Sequence, residues 1–403
     1  MTNNSSFKAL KITDRVYWVG AIDWDVRDFH GYTTNHGTTY NAFLITGEKN
    51  ILIDTVKKQF CSEMVGRISS VIPIESIDVI ISNHAEMDHS GCLPEIIKAV
   101  NPETVYASAF GVKTLNDHFH LDTPITAVKD GETMTIGDAT ITFAETRMLH
   151  WPDSMMSYLH GDEVLFSNDA FGMHLASSER FADEIEPSIL AYEAKSYYAN
   201  ILLPFSHLIK KAIDKVNGLN VSIKYICCDH GPMWRNADVA TPIKNYINWS
   251  EQKRNKNVVV LYDTMWNSTA MMAEAIVDGL ISGGVSAKVM PLRSFHRSDV
   301  ATEILDAGAL LVGSPTLNNG LYPTLADTLT YLKGLKPKGL KGAVFGSFGW
   351  SGEATTILTG ILTEMGVDLI AEPLKVKYVP DAAALTLCRE FGIKVAEAVS
   401  GNE

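Results

Sequence analysis

The chain has 403 residues, 46% of them hydrophobic and 20% charged, with a net charge of −13. That is enough for two domains with real cores, and it excludes an intrinsically disordered chain. The acidic balance excludes the basic surface that nucleic-acid binding requires.

Five cysteines (Cys61, Cys92, Cys227, Cys228 and Cys388) form no CxxC, and their number is odd. A disulfide framework or a cysteine zinc site is therefore not expected, a reducing cytoplasmic setting is, and the chain carries no rubredoxin-like iron site of its own. The first seven residues lack the charged and apolar regions of a signal peptide, and no apolar run approaches a membrane span.

Residues 1–250 read as one α/β unit. Strands are expected over 16–19, 39–45 and 51–55, the last two joined by a Gly47-Glu48-Lys49-Asn50 turn. A helical period follows near 60–70. The apolar run 77–81 reads as a buried strand, and behind it His84, Glu86, Asp88 and His89 fall within six positions on a loop. A helix over 94–100 and a strand over 104–107 come next, then a strand-rich region up to about 147 punctuated by Gly131 and Gly137. This alternation predicts two sheets with helices outside.

Three later stretches place a ligand-type residue where a strand ends or a helix cannot continue. His150 precedes Trp151-Pro152, Asp169 ends the apolar run 164–168, and His230 follows the apolar run 225–228. Each alone is commonly a cap or a surface group. With the first loop they make four histidines and three carboxylates, too many for one tetrahedral ion but suited to two neighbouring ions that share a carboxylate. If each ion takes two histidines and one terminal carboxylate, Glu86 and Asp88 are terminal and Asp169 is left as the bridge. Such a set is compatible with iron, manganese or zinc.

The polar run 250–256 is the expected linker, and residues 257–403 read as a second domain. A buried parallel-strand pattern over 257–262 leads through a hydroxyl-rich loop into a helix from about 270 to 281. Backbone N–H groups and the helix dipole there favour a phosphate, with Thr264, Asn267, Ser268 and Thr269 as further donors. The loop is neither GxxxxGK[ST] nor GxGxxG. Two more loops leave strand ends at the crevice edge of a doubly wound sheet, over 314–320 and 347–352. The candidate flavin residues are thus Thr264, Met265, Trp266, Asn267, Ser268 and Thr269; Ser314, Pro315, Thr316, Leu317, Asn318, Asn319 and Gly320; and Ser347, Phe348, Gly349, Trp350, Ser351 and Gly352. Trp350 offers a stacking face. No adenine or ribose site is evident, so FMN is expected rather than FAD. Strands over 286–290 and 369–376 and a helix over 380–399 complete five strands.

These motifs carry a resemblance. Residues 51–55 followed by His84, Asp88 and His89 resemble the metallo-β-lactamase fold, whose hydrolases usually carry a histidine where this chain has Glu86. That exchange resembles the flavodiiron proteins, as do Gly31-Tyr32-Thr33, residues 37–42, residues 149–155 and Tyr198-Ala199-Asn200-Ile201. The phosphate loop resembles that of flavodoxins, with Asn267 where many have glycine. The likeness spans essentially the whole chain and is closest to the rubredoxin:oxygen oxidoreductases. It implies an N-terminal metallo-β-lactamase-like αββα sandwich and a C-terminal flavodoxin-like doubly wound parallel sheet.

The resemblance further implies two non-haem irons on His84, Glu86, Asp88, His89, His150, Asp169 and His230, with FMN in the second domain. Its chemistry is four-electron reduction of O2 to water, with reduction of NO to N2O as a close second activity. A separate rubredoxin or flavoprotein reductase would donate electrons, which for an acidic partner needs a local basic patch. A head-to-tail homodimer or dimer of dimers is also implied. His174, five residues past Asp169, and His30, Tyr197 and Tyr198 by resemblance, are candidates for proton supply and pocket shape. His36, His118, His120, His160, His207 and His296 are read as structural. The rival readings are a dizinc hydrolase with an appended flavodoxin domain and an electron carrier with a vestigial metal site. Glu86 and the flavin half argue against the first, and the intact ligand set against the second.

Overall fold

The computed structural model describes residues 7–401, so the reading of the first six residues as free of a signal sequence lies outside the described residues. The chain divides into two compact units. The first comprises residues up to Tyr197 together with Phe205–Ile247, and the second Tyr198–Pro204 together with Asn248 onward.

In the first unit two sheets face each other. A seven-stranded sheet runs Leu10–Lys11, Val16–Trp18, Phe43–Ile45, Ile51–Ile53, Val79–Ser82, Thr104–Ser108, Ile125–Val128, parallel from Ile51–Ile53 onward. A six-stranded sheet runs Thr133–Ile136, Ala139–Glu145, Met155–Leu159, Val164–Asn168, Tyr225–Cys228, Trp234–Arg235. Period-two alternation sorts the side chains. Ile51, Ile53, Val79 and Ile81 pack between the sheets against Phe143, Leu159 and Phe166. Leu52 and Ile80 point the other way, onto Met64 and Ile68 of the Cys61–Ile68 helix and Leu93 and Ile96 of the Leu93–Val100 helix.

Two expectations are corrected here. Residues 39–45 are not one strand: Thr38–Tyr40 pairs with Ala21–Asp23 in a separate ribbon, and only Phe43–Ile45 joins the large sheet. All of these residues are buried, so the apolar run hides the change of partner. Cys61 and Cys92 form a disulfide with their Cα atoms 5.4 Å apart, against the expectation of free thiols. Their separation of 31 residues follows no motif. The fold sets the start of one helix beside the residue that precedes the next.

The second unit is a parallel sheet in the order Ala287–Pro291, Val258–Tyr262, Ala309–Pro315, Lys341–Phe348, with Asp368–Leu369 and Leu374–Lys377 both pairing with Lys341–Phe348. The expected strand over 369–376 is thus two short strands that share one neighbour. The Ser268–Ser282 and Ala382–Ser400 helices pack backbone to backbone. A Cβ on Gly279 would lie 2.0 Å from the Arg389 carbonyl oxygen, and one on Gly392 2.1 Å from that of Ile276. The expected linker is anchored rather than free. Gln252 is buried, and Arg254 donates to the carbonyls of Ile304, Leu305 and Lys338 at 2.7, 3.0 and 2.8 Å. A polar, charged composition suits a linker, but a long arginine can bury its stem and still pair its head.

Candidate metal centre and flavin pocket

The loop after Val79–Ser82 turns into a single helical turn, Met87–Ser90, which throws Asp88 and His89 inward while Met87 faces out. Opposite it, the register slips by one residue between Phe166 and Asn168, and Asn168 adopts a left-handed backbone (φ 48°). Such a bulge re-aims the chain, here just before Asp169.

The seven predicted residues converge in two groups. His84, Glu86, His150 and Asp169 form one; Asp88, His89 and His230, with Asp169, form the other. Asp169 presents a different oxygen to each. Its Oδ2 lies 3.2 Å from His84 Nε2 and 3.0 Å from His150 Nε2. Its Oδ1 lies 3.2 Å from His89 Nε2 and 3.4 Å from His230 Nε2. Glu86 Oε2 closes the first group at 3.0 Å from His150, and Asp88 Oδ2 the second at 3.2 Å from His230.

Other atoms fix which nitrogens point inward. His230 Nδ1 donates to the Thr39 carbonyl at 2.7 Å, which leaves its Nε2 lone pair free. His84 Nδ1 meets Asp153 Oδ2 at 3.0 Å, and the same carboxylate oxygen accepts the Ala85 N–H at 2.7 Å. Outer partners of this kind orient metal-binding imidazoles. His89 and His230 bring their Nε2 atoms within 3.1 Å. Both Asp88 oxygens and Asp169 Oδ1 are buried without a hydrogen-bond partner among the described residues. Unsatisfied buried oxygens are costly, and a pair of cations is what this donor set fits.

Within the cluster the carboxylates and imidazoles favour one another's charged forms. Burial pulls the His150 pKa down, but hydrogen bonds to Asp169 and Glu86 outweigh it and raise it to about 9. Burial likewise opposes charge on His84, and contacts with Asp153, Asp169 and Glu86 still carry it well above the usual range. Burial raises the Glu86 pKa, yet His150 and His84 hold it at about 2. His174 goes the other way: burial, then the His230 charge, push it well below the ordinary value.

His174 is fully buried, its Nδ1 2.8 Å from Thr38 Oγ1 and its ring 4.6 Å from His230 and 5.1 Å from Tyr197. His30 Nε2 reaches Glu86 Oε1 at 3.2 Å, with its side chain 74% exposed. Tyr198 instead packs its ring against Trp249 at 5.3 Å. Four of the histidines read as structural have partners of that kind: His36 pairs with Glu193, His118 with the Ala85 carbonyl, His160 with Thr142, and His296 caps a helix. The sequence reading missed Asp153 and Thr39, which orient ligands, and two buried carboxylates, Asp54 and Asp229. Asp229 Oδ2 lies 3.8 Å from His89 Nδ1. A buried Asp directly before His230 was the available signal.

In the second unit the three predicted loops enclose a cavity of about 610 Å³, within the range of small-molecule sites. It is lined by Met265, Trp266 and Ser268; Pro315, Thr316, Asn318 and Asn319; and Ser347, Phe348, Gly349, Trp350 and Ser351. Tyr378 and Val379 complete the wall and were missed, because they lie just past the short strand Leu374–Lys377. Thr264, Asn267, Thr269, Ser314, Leu317, Gly320 and Gly352 support these loops without lining the cavity. Asn267 has φ 67° and caps the Ser268–Ser282 helix, so the residue in the glycine position takes the backbone a glycine would. Thr264 Oγ1 is buried without a partner beside that helix start. Trp266 and Trp350 stand 88% and 87% exposed at the rim. The Thr264 hydroxyl beside a helix N-terminus and the aromatic faces at the rim fit a phosphate joined to a flat ring.

Fold and site together define a class: a metallo-β-lactamase-type sandwich with a two-metal ligand set, followed in the same chain by a flavodoxin-type sheet. Residues 38–231 match the family model described as ODP family beta lactamase, and residues 260–392 match that of flavodoxin. The chain is 46% identical to the rubredoxin-oxygen oxidoreductase of Megalodesulfovibrio gigas, over 98% of this chain and 99% of that one. It is 42% identical to a nitric oxide reductase of Moorella thermoacetica, over 96% and 98%. The crystal structure of the flavodiiron protein from Giardia intestinalis superimposes with a TM-score of 0.95 at 34% identity, covering 98% of each chain. The chain belongs to the flavodiiron protein family.

Proposed function

We propose that this protein is an oxidoreductase that reduces O2 to water, with reduction of NO to N2O as a close second activity. Relatives named for each activity resemble it almost equally, at 46% and 42% identity. The observation that carries the reading is Asp169, whose two oxygens face two separate histidine–carboxylate groups. On this reading His84, Glu86 and His150 hold one iron, Asp88, His89 and His230 the other, and Asp169 bridges. FMN sits in the cavity between the 264–269, 314–320 and 347–352 loops. We take residues 1–250 as the diiron domain and 257–403 as the FMN domain.

Held by these residues, two irons and FMN would together supply the four electrons that reduction of O2 to water requires. The chain's own residues do the rest. Asp153 and the Thr39 carbonyl hold His84 and His230 with their Nε2 atoms inward. Tyr197 and Phe29 stand beside His174 and His230 and keep bulk water from that wall. His174 stays neutral and keeps a buried Nε2 without a hydrogen-bond partner among the described residues, an atom placed to form a hydrogen bond within the pocket. His30, open to solvent and touching Glu86, offers a second route for protons.

The electron donor is a separate rubredoxin or a flavoprotein reductase. On the strand Leu374–Lys377, Lys375 and Lys377 are exposed just before Tyr378 and Val379 of the cavity wall. They supply the basic patch that an acidic donor needs. A head-to-tail homodimer or dimer of dimers belongs to the same reading. Among the described residues no helix is long and apolar enough to cross a membrane. We place the protein in the cytoplasm, with the Cys61–Cys92 bond the one feature that speaks against a permanently reducing compartment.

The deciding experiment is anaerobic. The fully reduced protein is mixed separately with O2 and with NO, after metal and flavin analysis. Two irons and one FMN per chain, with faster reoxidation by O2 and no peroxide, are expected. Zinc without flavin would sink the reading in favour of a hydrolase.

A further inference from the structure

One cationic feature of the first unit is used by neither site. A cavity of about 430 Å³ opens beside Leu10–Lys11, the Val16–Trp18 strand, the Cys61–Ile68 helix and the chain at 178–180. Four cationic side chains line it: Lys8, Lys11, Arg67 and Arg180. Two have carboxylate partners, Lys11 with Asp14 at 3.0 Å and Arg67 with Glu63 at 2.6 Å. Lys8 and Arg180 have none among the described residues.

Arg180 is the informative member. It is only 5% exposed, and among the described residues its Nη2 has no hydrogen-bond partner; nor has the buried Nε of Arg67. The carboxylates nearest to it in sequence are engaged elsewhere. Glu184 accepts the backbone N–H groups of Arg180 and Phe181 through Oε2 and meets Arg235 through Oε1. Glu179 turns to the Ser177 hydroxyl. The Trp18 indole lies over both guanidiniums, 4.6 Å from Arg67 and 4.9 Å from Arg180. This cushions the like charges but does not neutralise them. Burying a guanidinium without a counter-ion is strongly unfavourable, so such groups are normally paired. Arg67 also donates to the Lys8 carbonyl at 2.6 Å, which pins Lys8 at the cavity edge.

We infer that this cavity binds a small oxyanion of the phosphate class, held by Arg180 and Lys8 beside the Arg67 guanidinium. Two uncompensated cations match a dianion, and guanidinium forks suit its tetrahedral oxygens. The anion is inorganic phosphate or the phosphate end of a small metabolite.

The test uses calorimetric titration of the iron- and FMN-loaded protein at constant ionic strength, with inorganic phosphate in one arm and glycerol phosphate in the other. One saturable site per chain is expected for phosphate; tighter binding of the ester would mark a metabolite site. Arg180→Met should weaken phosphate about tenfold or more, with iron and FMN contents unchanged. Should that variant not fold, Lys8→Glu changes an exposed residue and should weaken binding in the same direction. Absence of a saturable site overturns the inference, as does an isotherm unchanged in both variants, which would move the phosphate to the iron or flavin site.

Discussion

The two units hold their cofactors by opposite means. The first concentrates charge: seven candidate ligand side chains meet in its interior, and three of their carboxylate oxygens have no hydrogen bond among the described residues. The second uses little charge. Its cavity is walled by loop backbone, hydroxyls and two tryptophans that stay almost fully exposed. A cation pair needs buried anions held in place, so its ligands must come from rigid strand ends and be braced by outer groups. A flat cofactor with a phosphate tail needs a helix start and apolar faces, which loops can supply. Damage to the first site should therefore spread through shared ligands, whereas damage to the second should remain local.

The sharpest break of this contrast is Asp169→Asn. Both metal groups share that carboxylate, so iron content and turnover should fall together, by more than ~100-fold in activity, while FMN stays bound. Metal analysis beside flavin absorbance checks it, and full iron occupancy in the variant would refute the bridge. Asp153→Ala leaves every ligand in place but frees His84 Nδ1. Iron affinity should drop roughly 10–100-fold, read by competition with a chelator, and an unchanged affinity would reduce Asp153 to a loop brace.

The metal-free protein should show a proton-linked site. His150 is raised to about 9 and must lose its proton to bind metal. Metal affinity should therefore climb with pH, by about tenfold per unit below pH 9 for this one proton. In the same metal-free protein the stability that protonated His150 contributes is fully present below its unfolded pKa of roughly 6.5 and lost as pH rises through about 9. Calorimetry of ferrous-ion binding across pH 6–10 measures the first effect, and a flat profile would contradict it.

On the flavin side, Trp350→Ala should weaken FMN about tenfold through lost stacking, with iron untouched. Flavin fluorescence titration of the FMN-free variant reads this. The smallest effect belongs to the surface. Lys375→Glu with Lys377→Glu should slow reduction by an acidic donor protein by about fivefold at low salt and little at high salt. Reduction by dithionite should not change. Equal slowing with both reductants would mean that the lysines only protect a sheet edge.

Much of this was legible in the sequence because the chemistry needs particular residue types at particular strand ends. His84, Glu86, Asp88 and His89 crowd into six positions, and His150, Asp169 and His230 each follow an apolar run or a break. The flavin loops were readable as hydroxyl- and glycine-rich stretches after parallel strands. The parts that escaped depend on neighbours far apart in the chain. Asp153 reaches back 69 positions to His84, and Tyr378 closes a cavity opened by Met265. Cys61 meets Cys92 only because two helices begin side by side.

By itself, then, the sequence determined the kinds of element and the candidate side chains that converge in the first unit, since periodicity and side-chain chemistry are local properties. Tertiary structure alone decided which ligands share a group, which oxygen of Asp169 faces each, and which nitrogen of each histidine turns inward. It also decided that Arg180 is buried without a counter-ion among the described residues. Those outcomes follow from strand register, a single bulge before Asp169 and the desolvation of charges, and each exists only once distant segments pack.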